Sequence, residues 1–357
     1  KHIIMNSDTK PLVTLVIPAY NEEAILTEHL KIITDYLSKL EDRFSWEILL
    51  VNDGSKDNTG QLAESFALSE PRVRVVHHPV NLNLGNALKT GFRHARGKYI
   101  VTLDLDLSYS PDHIERMLNT LVQTRADMVI ASPYMKGGKV SNVPLMRKIL
   151  SRMVNWLMYV AAQEKFHTFT GMVRAYDARF IRSLNLKTKD YEINPEIMYK
   201  AFILRARIIE IPAHLNWSLQ KKAGKKRTSG MRVLRGIFSG FMASFIFRPY
   251  IFFFSIGTFF FLISLYIIVW LFINGSRIYP LVQVDSAYFD DRLSATIAML
   301  FQTRPHAFLI GGFVLLVSLL FLGIGFLSLQ NKRYFEEQFH IATTLLKHHK
   351  GLEDNCE

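Results

Sequence analysis

Two carboxylates stand two residues apart in Leu103-Asp104-Leu105-Asp106-Leu107-Ser108, directly after the apolar run Tyr99 to Leu103. Side chains alternate across an extended chain, so Asp104 and Asp106 fall on one side. Paired hard oxygen donors suit a divalent cation, Mg2+ or Mn2+. Mg2+ in particular shares its coordination with substrate phosphates. On a surface loop such a pair is usually solvated charge. Here two further polar segments end apolar runs in the same way. Asp53 stands in Asn52-Asp53-Gly54-Ser55 after Trp46 to Val51, and Pro18-Ala19-Tyr20-Asn21-Glu22 ends the run from Leu12. Asn-Asp-Gly-Ser also suits a plain turn, but its neighbours favour a site.

These segments need elements that bring them together. Apolar patterning predicts strands over 12–18, 46–51, 73–77, 99–103 and 128–132. It predicts helices over 22–40, 56–68, 86–96 and 111–123, the second capped at Ser55 or Asp57. This alternation predicts an α/β fold: a Rossmann-like, mostly parallel sheet covered by helices. Ligands of such sheets sit beyond the carboxyl ends of the strands, so the three polar segments converge on one crevice. No Gly-x-Gly-x-x-Gly follows the first strand, and no Gly-x-x-x-x-Gly-Lys occurs. That sets aside dinucleotide oxidoreductases and P-loop ATPases. His77-His78 reads as a strand-end pair, since nothing at ligand spacing completes a metal site.

Of 357 residues, 49% are hydrophobic and 21% charged, which is too apolar for a disordered chain. The lone cysteine, Cys356, rules out a disulfide framework or a cysteine zinc site within one chain. A net charge of +12 points to nucleic acid, an anionic membrane surface or phosphorylated ligands. The apolar distribution decides among these. Tyr250 to Ile273 and Ala307 to Leu329 lack charge and each exceeds the roughly 20 residues a bilayer core requires. A membrane is therefore expected and a nucleic acid is not. Lys221 to Arg227, Arg232, Arg235 and Arg248 precede the first span, and Lys332 and Arg333 follow the second. This excess predicts a multi-pass protein with its soluble domain and both termini cytoplasmic. Met231 to Phe247 reads as an amphipathic interface helix, separated from the first span by Arg248-Pro249. The expected organisation is a cytosolic domain over 1–230, a juxtamembrane helix over 231–248, a two-helix membrane region over 249–330 with an external loop over 274–306, and a cytosolic tail over 331–357. Two spans per chain can associate, so a homo-oligomer is an expected partner state, to which the tail helix Lys332 to His349 can contribute. The chain opens Lys1-His2, so Met5 is the expected initiator, and no charged-then-apolar leader precedes the first strand.

Three segments carry a resemblance: Val16-Ile17-Pro18-Ala19-Tyr20-Asn21-Glu22-Glu23, Val51-Asn52-Asp53-Gly54-Ser55-Lys56-Asp57-Asn58-Thr59 and Leu103-Asp104-Leu105-Asp106-Leu107-Ser108. Together they resemble family 2 glycosyltransferases of the GT-A fold. With two C-terminal spans the chain is most similar to the polyprenyl-phosphate branch, which includes dolichol-phosphate mannose synthases and undecaprenyl-phosphate sugar transferases. The catalytic resemblance spans residues 11 to 230. It implies that Pro18, Tyr20 and Glu22 line a nucleotide pocket and that Asp53 holds the base or ribose. It implies that Asp104 and Asp106 bind the metal and the donor diphosphate. Arg147 and Ser151 fall where this branch holds the lipid phosphate, and Lys225, Lys226 and Arg227 fall near its basic loop over the donor phosphates. Gly171 to Tyr176, with Arg174, loosely matches the family's Gly-Phe-x-Ala-type turn, and Lys187 to Glu196 resembles its Lys-x-x-Tyr and downstream Glu stretch. Pro133 stands where many relatives have Arg, Asn83 where they often have Gly, and His167 where they have Asp. Ser108 follows the mannose-synthase style.

The resemblance implies inverting transfer of a hexose-type sugar from a UDP- or GDP-sugar to a polyprenyl phosphate at the cytoplasmic face. Breaking the anomeric C–O bond builds charge on the diphosphate, which a divalent metal and basic side chains stabilise. The acceptor is already anionic, so no strong general base is required. Guanidinium suits phosphate bidentately, which would fit Arg147. Read from the residues alone, Arg147 suits a lipid headgroup as well, and Glu196 either orients the sugar or caps a helix. Two alternatives stay open: a family 2 enzyme with another membrane or glycan acceptor, and a noncatalytic nucleotide-sugar-binding membrane scaffold. A processive synthase would need more spans and a Gln-x-x-Arg-Trp motif, and neither is present.

Overall fold

Runs of Val, Ile and Leu buried on both faces mark a covered parallel sheet, and four such runs form its centre. The computed structural model describes residues 10–162, 166–218, 249–283 and 289–353. Its strands are Leu12–Ala19 (β1), Ser45–Asn52 (β2), Val73–His77 (β3), Tyr99–Thr102 (β4), Met128–Ser132 (β5), Lys139–Ser141 (β6), Arg174–Asp177 (β7), Ile208–Pro212 (β8) and His214–Asn216 (β9). Seven of them form one sheet in the order β3-β2-β1-β4-β7-β5-β8. Every pair is parallel except those of β7, which runs antiparallel to β4 and β5. β6 and β9 pair separately, in parallel.

Side-chain alternation divides the interior in two. Leu15, Ile17 and Val101 pack with Leu30 and Ile33 of α1 (Leu26–Ser38) and Met117 and Leu118 of α4 (Asp112–Thr124). Val16 and Ile100 face the other way, toward Leu88 and Phe92 of α3 (Leu84–His94) and Ile197 and Met198 of α7 (Ile193–Ile203). α2 (Thr59–Ser69), α5 (Leu145–Ala162) and α6 (Ala178–Ser183) complete the helices of this unit among the described residues. The mostly parallel α/β sheet is the one the alternation predicts, and β3 and β5 have the predicted bounds.

The first helix departs from prediction. It starts at Leu26 rather than Glu22 because the intervening residues are tied to the next loop. Asn21 N donates to Ser55 Oγ at 3.0 Å, Glu22 N to Thr59 Oγ1 at 2.7 Å, and Asn58 N to Glu23 Oε2 at 3.0 Å. In return Lys56 N donates to Asn21 Oδ1 at 2.8 Å, with Asn21 at φ 55°. These bonds latch the loop after β1 to the loop after β2. β7 is a second departure. Arg174, expected within a turn-like motif, lies in a central strand and is fully buried. Its guanidinium donates to Asn194 O and Phe169 O, at 3.2 and 2.6 Å, and burial pushes its pKa down.

The chain divides into two compact units, Lys1–Phe247 with Gln338–Glu357, and Arg248–Glu337. Pro249–Ile278 (α8) and Pro305–Glu353 (α10) are each long and apolar enough to cross a membrane, as the sequence predicts. Phe289–Thr303 (α9) is a helix in the segment expected as a loop. Proline at the first position of α8 suits a helix start, where its missing N–H costs nothing. Lys332 to His349 continues α10 rather than standing apart. The two spans meet through small residues, as membrane helices do. Ser264 Oγ donates to Gly311 O at 3.1 Å and Ser318 Oγ to Gly257 O at 3.0 Å. The expected amphipathic helix over 231–248 lies outside the described residues.

Gly54 makes the turn after β2 possible. Its φ is +65°, and an added Cβ would stand 2.2 Å from the carbonyl carbon of Val80. Left-handed backbone and a backbone clash together cost an alanine about 2 kcal/mol or more. Gly54→Ala should lower the thermal unfolding midpoint of the unit that contains the sheet, measured in detergent, by about 4–8 °C. An unchanged midpoint would mean that the β3–α3 loop yields freely.

Candidate active site

Strand order reverses at β1, with β2 on one side and β4 on the other. Loops leaving such neighbours part in opposite directions and open a crevice at the carboxyl ends. Register sets the loops level: Pro18 stands opposite Val51, Ala19 opposite Asn52, and Val16 opposite Thr102. Pro18 is half-buried, Tyr20 exposed and Glu22 half-buried. Asp53 is buried. Its N–H donates to Ala19 O at 2.9 Å, which joins the ends of β1 and β2.

Beyond β4, Leu103, Leu105 and Leu107 enter the core, while Asp104 and Asp106 stay half-buried. The alternation expected of an extended chain holds, although the chain turns here. Leu107 has φ 51° and its N–H reaches Asp104 O at 3.4 Å. Ser108 N donates to Asp106 Oδ1 at 2.9 Å, and the ring of His29 from α1 meets Leu105 O at 2.8 Å. Tyr109 follows, bridged to Leu215 next to it in the second sheet. Burial pushes the Tyr109 hydroxyl far above the usual phenol value, and Asp104, Tyr134 and Asp106 push it further. Tyr134 in turn donates to Ser151 Oγ of α5 at 2.7 Å. Tyr109 thus lies within the field of the paired carboxylates, and Tyr134 is tied to α5 through Ser151. Arg147 lies one turn before Ser151 on that helix. Leu145, Met146, Ile149 and Met153 are exposed on it. Lys225 and Arg227 lie outside the described residues.

Among the described residues no three His, Cys, Asp or Glu side chains gather as a metal-holding group. Two carboxylates still fit Mg2+, which takes one or two from protein and completes its octahedron with phosphate oxygens and water. Asp104 and Asp106 are the residues with that chemistry here.

Three polar clusters escaped the sequence reading. His78 Nδ1 meets Asp53 Oδ1 at 2.6 Å, whereas His77 turns to Glu64 and Asn52, at 2.7 and 2.9 Å. The adjacent pair therefore splits, and only its second member reaches the crevice. Glu210 of β8 accepts from His167 N, His167 Nδ1 and Thr168 N, the longest of these at 3.0 Å. Glu210 thus ties down the loop at His167 and Thr168. Glu196 is buried and accepts from Lys187 N at 2.8 Å, Thr188 N at 2.9 Å and Lys200 Nζ at 2.5 Å. It anchors the loop before α7 instead of capping a helix. The spacing of Glu196 and Lys200, one helical turn, was the available signal.

The sequence matches the family model described as Glycosyl transferase family 2 over residues 14–185. A polyprenol monophosphomannose synthase from Mycolicibacterium smegmatis is 30% identical over 231 residues, which are 63% of this chain and 83% of that protein. The chain belongs to glycosyl transferase family 2. A dolichyl-phosphate beta-glucosyltransferase from Trichomonas vaginalis is 29% identical over 226 residues, 61% of this chain and 69% of that one. Among solved structures, a mannosyltransferase from Pyrobaculum calidifontis in complex with GDP-Man and Mn2+ aligns with a TM-score of 0.44 at 18% identity, covering 95% of this chain and 87% of that one. This family 2 glycosyltransferase thus has relatives named for sugar transfer to polyprenyl phosphates. The match ends just before the Glu196 network, which is described here from geometry alone.

Burial pushes the Glu196 carboxyl up, but hydrogen bonds from Lys200, Thr188 and Lys187 outweigh it, and the pKa falls below its usual 4.5. A depressed carboxyl adds stability above its unfolded pKa and loses it as pH falls through the folded pKa. Glu196→Gln strands the buried Lys200 charge and should cost on the order of 3 kcal/mol at pH 7. Urea denaturation should show the gap closing below about pH 4. A gap that persists at acid pH would assign the loss to packing.

Proposed function

We propose that this glycosyltransferase moves a hexose-type sugar from a UDP- or GDP-sugar to a polyprenyl phosphate, with inversion, at the cytoplasmic membrane face. The observation that carries this reading is the placement of Asp53, Asp104 and Asp106 at the carboxyl ends of the strands flanking the strand-order reversal. On this reading Pro18, Tyr20 and Glu22 line the nucleotide pocket and Asp53 accepts from the base or ribose. Asp104 and Asp106 hold Mg2+ or Mn2+. When bound, the cation neutralises charge that develops on the leaving diphosphate. Lys225 and Arg227 supply further positive charge to the donor phosphates.

The acceptor needs little activation. A phosphate monoester has a second pKa of about 6, so its oxygen is anionic at neutral pH. Arg147 orients it through a planar pair of N–H donors, and Ser151 adds a hydroxyl whose position Tyr134 fixes. The exposed side chains of α5, Leu145, Met146, Ile149 and Met153, suit a helix that works against lipid tails. The relatives named above act on dolichyl phosphate and a polyprenol monophosphate, which supports a lipid phosphate acceptor. They differ between glucose and mannose, so the donor panel must include both.

The test uses purified protein in detergent with Mg2+ or Mn2+, a short polyprenyl phosphate and UDP- and GDP-sugars. Mass spectrometry should show one glycolipid, lost on chelation. Asp106→Ala should reduce its rate by about 100-fold or more. Nucleotide-sugar binding without a lipid product would redirect the search to another acceptor, and no binding at all would leave a scaffold.

Orientation has its own test, because Cys356 is the only cysteine. An impermeant maleimide should label Cys356 in inside-out vesicles and not in right-side-out ones. In Cys356→Ser with Ser286→Cys, labelling should reverse. Labelling of Cys356 from outside would overturn the cytoplasmic assignment.

A further inference from the structure

The loop between β3 and α3 folds over the Asp53 turn and holds it by side chain and backbone. Asp53 Oδ1 accepts from Leu82 N at 2.9 Å and from His78 Nδ1 at 2.6 Å. His78 Nε2 meets Thr90 Oγ1 of α3 at 2.9 Å, and His78 N donates to Asn52 O at 2.9 Å. A carboxylate accepts, so Nδ1 carries a proton, and Nε2 is paired with the Thr90 hydroxyl. The His78 and Asp53 side chains are only 8% and 6% exposed. Water therefore competes little for these bonds, which are stronger in so dry a setting.

The two oxygens of Asp53 are used unequally. Both hydrogen bonds fall on Oδ1, and Oδ2 takes none among the described residues. Among those residues the buried side-chain atoms without a partner are Arg174 Nε and Asn194 Oδ1, so Oδ2 reaches solvent. Two donors on one oxygen stop rotation about the Cβ–Cγ bond and keep the other oxygen on one heading. An acceptor oriented in advance binds without an ordering cost.

On the reading that Asp53 holds the donor's base or ribose, we propose that His78 is the positioning residue of the nucleotide pocket. Braced by Thr90, it locks the Asp53 carboxylate so that Oδ2 faces the nucleoside. His78 touches no substrate itself; it acts through Asp53.

The test uses the full chain in detergent with Mg2+, titrated with UDP and with GDP, and the KM and kcat for the matching nucleotide sugar. His78→Leu removes the donor and should weaken nucleotide binding about 10- to 100-fold. KM should rise in parallel, with kcat held within about threefold. His78→Asn places an amide N–H near the former Nδ1 and should restore most of the binding. Thr90→Val should show a smaller loss in the same direction. In an Asp53→Ala background His78→Leu should add nothing further, because the two residues act as one unit. If His78→Leu loses its unfolding transition, His78→Asn and Thr90→Val decide the question. Wild-type affinity in His78→Leu, losses that simply add in the double variant, or a fall in kcat at constant KM would each overturn the proposal. Failure of the unmodified protein to bind either nucleotide would instead overturn the donor reading on which it rests.

Discussion

Like charge is the constraint that the catalytic unit is built around. Asp53 stands at the end of β2 and Asp104 and Asp106 beyond the end of β4, the two strands that flank β1, buried or half-buried, where like charges repel more strongly than in water. Flexible loops would let them drift apart. The frame that prevents this is largely backbone. Asp53 is held by Leu82 N as well as His78, and Asp106 by Ser108 N. Donors of this kind fix a carboxylate without cancelling its charge, so the field remains available to a cation and a base. The parallel register of β1 with β2 and β4 fixes the roots of all three loops.

That frame extends through paired loops rather than single ones. The loop after β1 is latched to the loop after β2, and the loop after β3 closes onto Asp53 and Gly54. Each loop then has little freedom of its own, and ordering entropy is spent in folding instead of in binding. Elsewhere the same purpose is served by buried ionic groups. Glu196 with Lys200 holds the loop before α7, and Glu210 holds the loop at His167 and Thr168. Such groups are weak sources of net stability, but removing one partner is costly. Their value is in giving irregular backbone a single path.

What the sequence disclosed follows from which physics is local. The periods of Leu12–Ala19 and Met128–Ser132 are set by burial on both faces, and a strand buried in that way carries a nearly continuous apolar run. Asp104 and Asp106 were visible because alternation past β4 is a short-range rule, and it survives the turn at Leu107. Long-range bonds left weaker marks. The start of α1 moved to Leu26 because Thr59, a loop away, binds Glu22 N. Arg174 looked like part of a turn because nothing local tells a chain that a charged residue will occupy a central antiparallel strand. His77 and His78 are neighbours of one type with opposite fates, since successive side chains on a strand face opposite ways. Nothing near His167 in sequence marks its partner either, since Glu210, which meets its ring, lies 43 residues on.

The membrane unit bears on how donor and acceptor meet. A nucleotide sugar is a soluble polyanion, and a polyprenyl phosphate cannot leave the bilayer, so on the proposed reading the reaction occurs at an interface. Two spans suffice for that task, because they need only keep the catalytic unit near the surface. The spans pack through Gly257, Gly311, Ser264 and Ser318, while Phe259, Leu262, Phe313 and Phe326 are exposed, as lipid contact requires. Within the catalytic unit the requirement differs. On the proposed reading a lipid phosphate approaches the acidic pair while its chain stays in oil, so the element that receives it needs polar groups beside exposed apolar ones. α5 has that composition, with Arg147 and Ser151 in the same turns as Leu145, Ile149 and Met153. Tyr134 is hydrogen-bonded to Ser151 of that helix, while burial and the neighbouring aspartates keep the Tyr109 hydroxyl protonated, so it adds no charge beside an acidic pair.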